Sequence, residues 1–323
     1  MKTRTVLVTG AAGFIGSNFV RIFSKRFPKI KIVGVDDFSS GKKSLLDRRI
    51  IFYNASVADA KAVEKIFNKH RPEYVFHFAA MPRVSLSVEK PAETTKANIY
   101  GTALLLEKSR DYKVKRFVFS SSSSVYGGAK ILPTKEGENP PNPVSPYALQ
   151  KYAGELLCQS FGKLYGLESV CLRYFNVFGP GQYGDSPYST VMSAWLERLY
   201  FPKKGQRPFL EGDGKQSRDF CFVDNAVEAN ILAFESVREF FGDVFNIAHG
   251  ERTDLLAVKV LIEEFSGKKL SLKKRPIRLG DVRHTHADIS KARKMFGYKP
   301  IVSFEAGLQK TVEWFKQRAS TRT

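Results

Sequence analysis

Apolar residues in the first half of the chain follow two alternating rhythms. Short β-branched or aromatic runs recur at Thr5–Val8, Ile30–Val35, Ile50–Tyr53, Tyr74–Phe78 and Arg116–Ser120. Between several of them the spacing widens to three and four: Phe14, Phe19, Ile22 and Phe23 before Pro28, then Ala60–Asn68, then Ala92–Lys108. Runs of the first kind read as buried strands and those of the second as helices. Strands alternating with helices predict an α/β fold, a doubly wound parallel Rossmann sheet. The Pro- and Asn-rich stretch Gly137–Pro146 is loop, and Ser145-Pro146 supplies an N-cap and a first-turn proline for a helix through Tyr165. Glu168–Tyr174 is a further strand and Asp243–Ile247 a last one. Phe178–Pro187 and Pro202–Gly214 are rich in Gly and Pro. With the tail from about Gly250 they read as a smaller C-terminal unit laid over the sheet's C-terminal edge.

Composition narrows the class. A chain of 323 residues with 43% hydrophobic and 26% charged residues is long enough for a sizeable core and is neither disordered nor fibrous. No apolar run is long enough to span a membrane. Val6-Leu7-Val8 after Lys2 and Arg4 is cut short by Thr9-Gly10, so it reads as a first strand and not a signal peptide, and a cytoplasmic location is the default expectation. Cys158, Cys171 and Cys221 are odd in number and far apart, which fits a reducing compartment better than a disulfide framework or a zinc site. The net charge of +20 predicts affinity for anionic or phosphorylated ligands. The basic residues are dispersed, densest at Lys268, Lys269, Lys273, Lys274 and Arg275, and no nucleic-acid-binding signature accompanies them.

Two motifs carry chemistry. Gly10, Gly13 and Gly16 lie between the first strand and the first helix. Glycines there let the backbone approach a pyrophosphate, and the helix start supplies N–H donors. Asp36 ends the second strand, where a carboxylate accepts from a ribose 2′-hydroxyl and repels a 2′-phosphate, favouring NAD over NADP. Lys42 and Lys43 are a mild counter-signal. The second motif is Tyr147-x-x-x-Lys151, one helical turn apart. An ammonium beside a phenol favours the phenolate. The same spacing occurs at Tyr126/Lys130 and Tyr200/Lys204, but Tyr126 runs into Gly127-Gly128 and Tyr200 is followed by Pro202. His284 and His286 have no carboxylate or cysteine cluster to complete a metal site, so no metal is expected, and His77 reads as structural.

With these motifs the chain resembles the extended short-chain dehydrogenases/reductases, and among them the UDP-hexose 4-epimerases. The likeness runs through Val8–Ser17, Asp36–Gly41, His77–Ala80, Ser120–Gly127, Ser145–Lys151, Leu172–Gly179, Gly212–Phe220 and Gly280–His284. The last two segments look most like the UDP-N-acetylglucosamine 4-epimerase branch. The resemblance implies that Tyr147 is the general base and acid, that Lys151 holds the cofactor ribose and tunes Tyr147, and that Ser122 is the catalytic hydroxyl. It implies an NAD site lined by Gly10, Gly13, Phe14, Ile15, Gly16, Asp36, Asp37, Phe38, Ser39, Ser40, Gly41, Val57, Phe78, Ala79, Ala80, Asn98, Tyr147, Lys151 and Tyr174. Asn176, Arg218, Arg278 and Asp281 would hold UDP, Phe209 would lie near uracil, and Ser124 would touch the sugar. Thr285, where a tyrosine would close the pocket, leaves room for an N-acetyl group.

The chain also departs from the pattern. Ala55-Ser56-Val57 replaces the usual Gly-Asp-Ile/Val, which transfers the adenine contact to Ser56. Pro82-Arg83 replaces the lysine of many galactose-type members, which favours N-acetylhexosamine or uronate branches. The expected domains are NAD-binding (1–175 plus about 220–249) and UDP-sugar-binding (176–219 plus 250–323). The expected reaction is inversion at C4 of a UDP-N-acetylhexosamine, with UDP-glucose/UDP-galactose as a second pair, by a homodimer. Arg83, able to pair with a sugar carboxylate, keeps a UDP-glucuronate epimerase or decarboxylase open. The +20 charge keeps open a non-catalytic, RNA-associating protein on the same fold.

Overall fold

The computed structural model describes residues 4–82, 84–185, 189–203, 207–276 and 282–321. The chain runs through β1 (Thr5–Thr9), α1 (Phe14–Arg26), β2 (Lys31–Asp36), β3 (Ile51–Asn54), α2 (Ala60–His70) and β4 (Tyr74–His77). Next come α3 (Val84–Glu89), α4 (Pro91–Thr95), a π turn at Lys96–Tyr100, α5 (Gly101–Asp111), β5 (Arg116–Ser122), α6 (Pro146–Tyr165) and β6 (Ser169–Tyr174). The second half holds α7 (Val191–Tyr200), β7 (Phe209–Glu211), β8 (Ser217–Arg218), α8 (Val223–Glu235) and β9 (Phe241–Ile247). It ends with β10 (Thr253–Asp254), α9 (Leu255–Ser266), β11 (Lys273–Arg275), α10 (Ser290–Phe296) and α11 (Phe304–Ser320).

The main sheet has seven parallel strands in the order β3-β2-β1-β4-β5-β6-β9. Its inner strands are buried on both faces while the edge strand β3 is partly exposed, and successive residues point to opposite sides. Val6 and Val8 join Phe19, Phe23, Phe234 and Tyr298 on one side. Leu7 joins Val35, Phe67, Leu105, Phe117 and Phe119 on the other. A third cluster, with Phe178, Trp195, Phe220, Phe222, Phe304 and Phe315, is the core of the C-terminal part. Strand order reverses between β1 and β4, so the loops after these two strands diverge and leave a crevice at the sheet's C-terminal edge.

α6 has the bounds its sequence predicts. Ser145 Oγ accepts from the Ala148 N–H at 3.2 Å, Pro146 fills the first position, and Gly166 ends the helix at φ +64°. The single helix expected over Ala92–Lys108 is instead α4, the π turn and α5 laid end to end. The wide turn brings Asn98 inward, where its amide bonds Met81 and Gln150. On α8, Val223, Ala226, Val227, Ala229, Ile231, Ala233 and Phe234 are buried, shared between the sheet and the third cluster, and Asp224, Glu228 and Glu235 form its narrow outer stripe, where Arg21 and Arg26 meet them.

Candidate active site

The loop after β1 is shaped by backbone contacts. Gly10 has φ +68°, and a Cβ there would come within 2.7 Å of the Ala79 nitrogen. A Cβ on Gly16 would come within 2.1 Å of the Gly10 carbonyl. Gly13 caps α1 without a side chain, and the first turn of α1 contains no acidic residue of its own. That arrangement suits a diphosphate: fixed N–H dipoles and a close backbone. Beside it, the buried Asp36 carboxylate accepts from Ala12 N–H at 3.0 Å and Phe38 N–H at 2.8 Å. Burial pushes its pKa up, while these two N–H groups pull it down.

The loop from Asp37 closes over this carboxylate. Phe38 has φ +59°, Ser39 N–H donates to Asp37 at 2.9 Å, and a Cβ on Gly41 would sit 2.7 Å from Asp36 Oδ1. Ser40 belongs to the same bend. Lys42, the counter-signal, is tied to Asp185 at 2.6 Å, and Lys43 lies over the Phe38 ring. Ser56 Oγ accepts from Ala58 N–H, and Val57 is buried against Gly101. Phe14 and Ile15 open α1 and are half-buried, as are Phe78, Ala79 and Ala80 after β4.

His77 organises the loop after β4. Thr102 Oγ gives its proton to the Asn98 carbonyl at 2.7 Å, so it must accept from His77 Nε2–H at 2.9 Å. His77 Nδ1 then accepts from Thr9 Oγ at 2.7 Å, and Thr9 Oγ accepts from Ala79 N–H at 3.1 Å. Burial holds the His77 pKa at about 3, so the ring is neutral and the chain of bonds runs in one direction. Asn98 is a strut of this loop, since its amide oxygen and nitrogen are both taken by Met81 and Gln150.

Across the crevice, α6 presents Tyr147 and Lys151. The Tyr147 N–H donates to Ser87 Oγ at 2.9 Å, and its ring is nearly buried. Lys151 is 4% exposed, donates to the Ser120 carbonyl at 2.7 Å, and its Nζ lies 5.9 Å from the Tyr147 ring centre. Burial lowers its pKa to about 8, partly opposed by the Glu155 carboxylate. Ser122 ends β5, and its Oγ accepts from Ser124 N–H at 3.2 Å. Ser124 Oγ is buried with no partner among the described residues, a polar atom still open to a ligand. Tyr174 is turned to the core: its OH bonds Asn230, and burial raises its pKa to about 12.

On the far side of the crevice the C-terminal part meets the sheet. Asn176, at φ +35°, donates from Nδ2 to the Asp219 carbonyl at 3.0 Å and to Thr285 Oγ at 2.9 Å. Thr285 Oγ also accepts from Asp219 N–H at 3.2 Å. Arg218 Nη1 donates to the Ser217 and Arg283 carbonyls, both at 3.0 Å. Phe209 lies under Arg275 at 3.8 Å and Arg198 at 5.7 Å, so its ring faces guanidinium groups. His284 bonds Ser217 Oγ and His286 the Gly250 carbonyl. Arg83, Arg278 and Asp281 lie outside the described residues.

Residues 6–248 match the model of the NAD dependent epimerase/dehydratase family. The chain belongs to that family. It is an enzyme that uses NAD, and its residues fit that cofactor. Among solved structures, this epimerase is similar to the UDP-glucose 4-epimerase of Thermotoga maritima with UDP-glucose: 40% identity, 97% of this chain and 99% of that one, TM-score 0.91. It is similar to the UDP-N-acetylglucosamine 4-epimerase of Methanobrevibacter ruminantium in complex with UDP-N-acetylmuramic acid: 36%, 98% and 100%, TM-score 0.89. It is also similar to the UDP-glucuronic acid 4-epimerase of Bacillus cereus with UDP-glucuronic acid and NAD: 32%, 97% and 99%, TM-score 0.85. Three sugars are named at comparable likeness, so the sugar has to be argued from side chains.

Sequence reasoning overlooked two acids of this epimerase. Glu155, fully buried one turn beyond Lys151, accepts from Ser121 Oγ at 2.5 Å and from Arg173 Nε and Nη2 at 2.8 and 2.7 Å. The signal was a third member of the Tyr147/Lys151 spacing. Asp219, fully buried, accepts from the backbone N–H groups of His249 at 2.9 Å, Gly250 at 3.2 Å and Ala287 at 3.1 Å. Burial raises its pKa to about 6 against those three bonds. Its partners are backbone atoms distant in sequence, which no side-chain pattern announces.

Proposed function

We propose that this chain, an NAD-dependent UDP-sugar 4-epimerase, interconverts UDP-N-acetylglucosamine and UDP-N-acetylgalactosamine, with UDP-glucose/UDP-galactose as a second pair. The observation that carries the sugar assignment is the hydrogen-bonding capacity left at Asn176 and Thr285. The Asp219 carbonyl can only accept, so the Asn176 nitrogen must face it, and both Nδ2 protons are then used. Among the described residues Asn176 Oδ1 is left as an acceptor. Thr285 Oγ accepts two donors and keeps its own proton to give. One acceptor beside one donor is the complement of a secondary amide, and Thr285 is small enough to leave room for its methyl group. The UDP-glucuronate alternative depends on Arg83, outside the described residues.

In this reading Tyr147 takes the 4-hydroxyl proton with Ser122 assisting, and later returns it. Lys151 keeps the phenol acidic from one turn away, and Ser124 Oγ meets the sugar. Arg218, with Arg278 and Asp281, holds the diphosphate and uridine, and Phe209 lies at the uracil end. The α1 amides and Asp36 would hold NAD, which supplies reversible hydride chemistry when bound. The domain division at 1–175 plus about 220–249 and 176–219 plus 250–323 belongs to the same reading. So does a homodimer through α5 and α6, because Leu149, Leu156, Leu164 and Tyr165 of α6 and Tyr100 ahead of α5 are exposed. Intact Ser122, Tyr147 and Lys151 weigh against a non-catalytic RNA-associating role. The test is incubation with each UDP-sugar, without added cofactor, and separation of the products. Conversion of UDP-N-acetylglucosamine is expected. Turnover of UDP-galactose with both N-acetylated sugars ignored would refute the assignment.

A further inference from the structure

Three consecutive serines at the end of β5 have three different bonds. The Ser120 carbonyl accepts from Lys151 Nζ at 2.7 Å. Ser121 Oγ donates to Glu155 at 2.5 Å. Ser122 Oγ takes the Ser124 N–H at 3.2 Å. Tyr147, Lys151 and Glu155 recur at one-turn intervals on α6, so they share a face. Glu155 therefore grips the residue between the carbonyl that holds Lys151 and the Ser122 hydroxyl given the role of assisting Tyr147. Its other bonds are a two-pronged pair with Arg173 on β6, the strand beside β5. One carboxylate thus joins α6, β5 and β6 directly behind the reacting groups.

We propose that Glu155 is a positioning residue: through Ser121 it fixes the end of β5 that carries Ser122, and through its charge it keeps Lys151 cationic beside Tyr147. The inference rests on the roles given above to Ser122, Tyr147 and Lys151. A buried ion pair is by itself weak evidence for stability, since desolvation offsets much of its attraction. The serine contact gives this pair a bearing on the site.

The groups around Lys151 favour this reading. On α6 they are Tyr147 and Glu155. β4 contributes His77, which is neutral. β5 contributes only serines and the Phe119 ring, 5.1 Å from Nζ. β6 contributes Arg173, Cys171 and Tyr174, with burial raising both the thiol and the phenol. The turn after β5 adds Tyr126, whose ring lies 4.6 Å under Arg173 and whose pKa burial pushes up to about 12. α3, α4 and the π turn face α6 with Ser87, Thr94 and Asn98, and α5 places Thr102 behind Asn98. β9 meets α6 two turns further along, at Gln159 and Gly162. Among these described groups Glu155 is the anion acting on Lys151.

Two variants separate its two actions, measured on the NAD-bound enzyme. Ser121→Ala keeps the Glu155–Arg173 pair and removes the grip on β5. It is expected to lower kcat by roughly tenfold to a hundredfold, as small misplacements of reacting groups do, with KM little changed and the pH profile in place. Glu155→Gln is expected to move the alkaline limb of kcat/KM down by about one pH unit or more, because Lys151 loses its proton sooner. Glu155→Asp, which keeps the charge, should put that limb back while kcat stays low. Folded Ser121→Ala and Glu155→Gln enzymes with normal kcat and an unmoved limb would overturn the proposal. If Glu155→Gln does not fold, normal kcat in Ser121→Ala overturns it. Tyr147→Phe is run beside them: near-normal turnover there overturns the active-site reading itself, whereas an inactive Tyr147→Phe beside normal Ser121→Ala and Glu155→Gln overturns only the role of Glu155.

Discussion

Lys151 should make the cofactor-free protein less stable than it would be without this side chain. Its ammonium is 4% exposed, and burial lowers its pKa from 10.5 to about 8. A depressed lysine pKa means that the unfolded chain binds the proton more tightly than the folded one. Each pKa unit corresponds to about 1.36 kcal/mol, so the charged form disfavours folding by about 3 kcal/mol below pH 8. Between pH 8 and 10.5 the folded state sheds the proton first, the penalty fades, and stability rises with pH. Lys151→Met keeps the length and removes the charge. After subtracting about 1 kcal/mol for the lost bond to the Ser120 carbonyl, a gain of about 2 kcal/mol remains. At roughly 2 cal/mol/K per residue of unfolding entropy, that is about 3 °C in Tm for this chain. The assay is thermal unfolding of cofactor-free wild type and Lys151→Met from pH 6 to above 10.5. The gap between the two curves should be widest at the acidic end and close as pH rises. A gap that stays constant, or a variant less stable at pH 7, would show that Lys151 is not a strained cation, and epimerase activity should be lost either way.

Tyr147→Phe keeps the ring and removes the proton-transfer group, so turnover should fall roughly 10²–10⁴-fold with UDP and NAD binding retained. Kinetics and UDP titration on one preparation check this. Thr285→Tyr should lose UDP-N-acetylglucosamine selectively, by roughly tenfold per 1.4 kcal/mol of steric exclusion, while any UDP-glucose activity survives. Competition between the two sugars measures it. Arg218→Lys keeps the charge but loses the planar fork, and UDP affinity measured by calorimetry should weaken about tenfold or more.

Much of the fold was legible because local and tertiary preferences agree in it. β1, β2 and β4 are mostly apolar runs because both faces are covered, β5 and β6 are apolar in the middle with polar residues toward their ends, and α6 carries its own cap, proline and terminal glycine. The pieces that escaped lack a periodic signal. α8 buries most of its circumference and keeps only a narrow acidic stripe, and β8 and β10 are two-residue strands held by each other and by backbone bonds to Arg283 and Thr285. Tyr147 and Lys151 share a helix face, as their spacing together with the capped helix around them predicts. The division of labour in Ser120–Ser124 was not legible, since neither Ser121's bond to Glu155 nor the Ser120 carbonyl's bond to Lys151 exists until α6 is laid against β5. Asn98 and Tyr174 show the opposite case. The resemblance places both at the cofactor, whereas their polar atoms in the fold bond Met81, Gln150 and Asn230 and hold the scaffold together.

Asp219 has a bearing on how this protein can be rebuilt. Its carboxylate ties Gly250 and Ala287 to the segment after β8, and Asn176 and Thr285 close the same knot. In the proposed domain division the chain passes from sheet to cover and back near these points, so they form a seam. A chimera that borrowed a relative's cover would keep its joints outside this seam, retaining Asn176, Asp219, Gly250, Thr285 and Ala287 together. A joint placed inside it would leave a buried acid without the amides that hold it. On that division the cover is expected to exchange as a cassette, with its stitching travelling with the sheet.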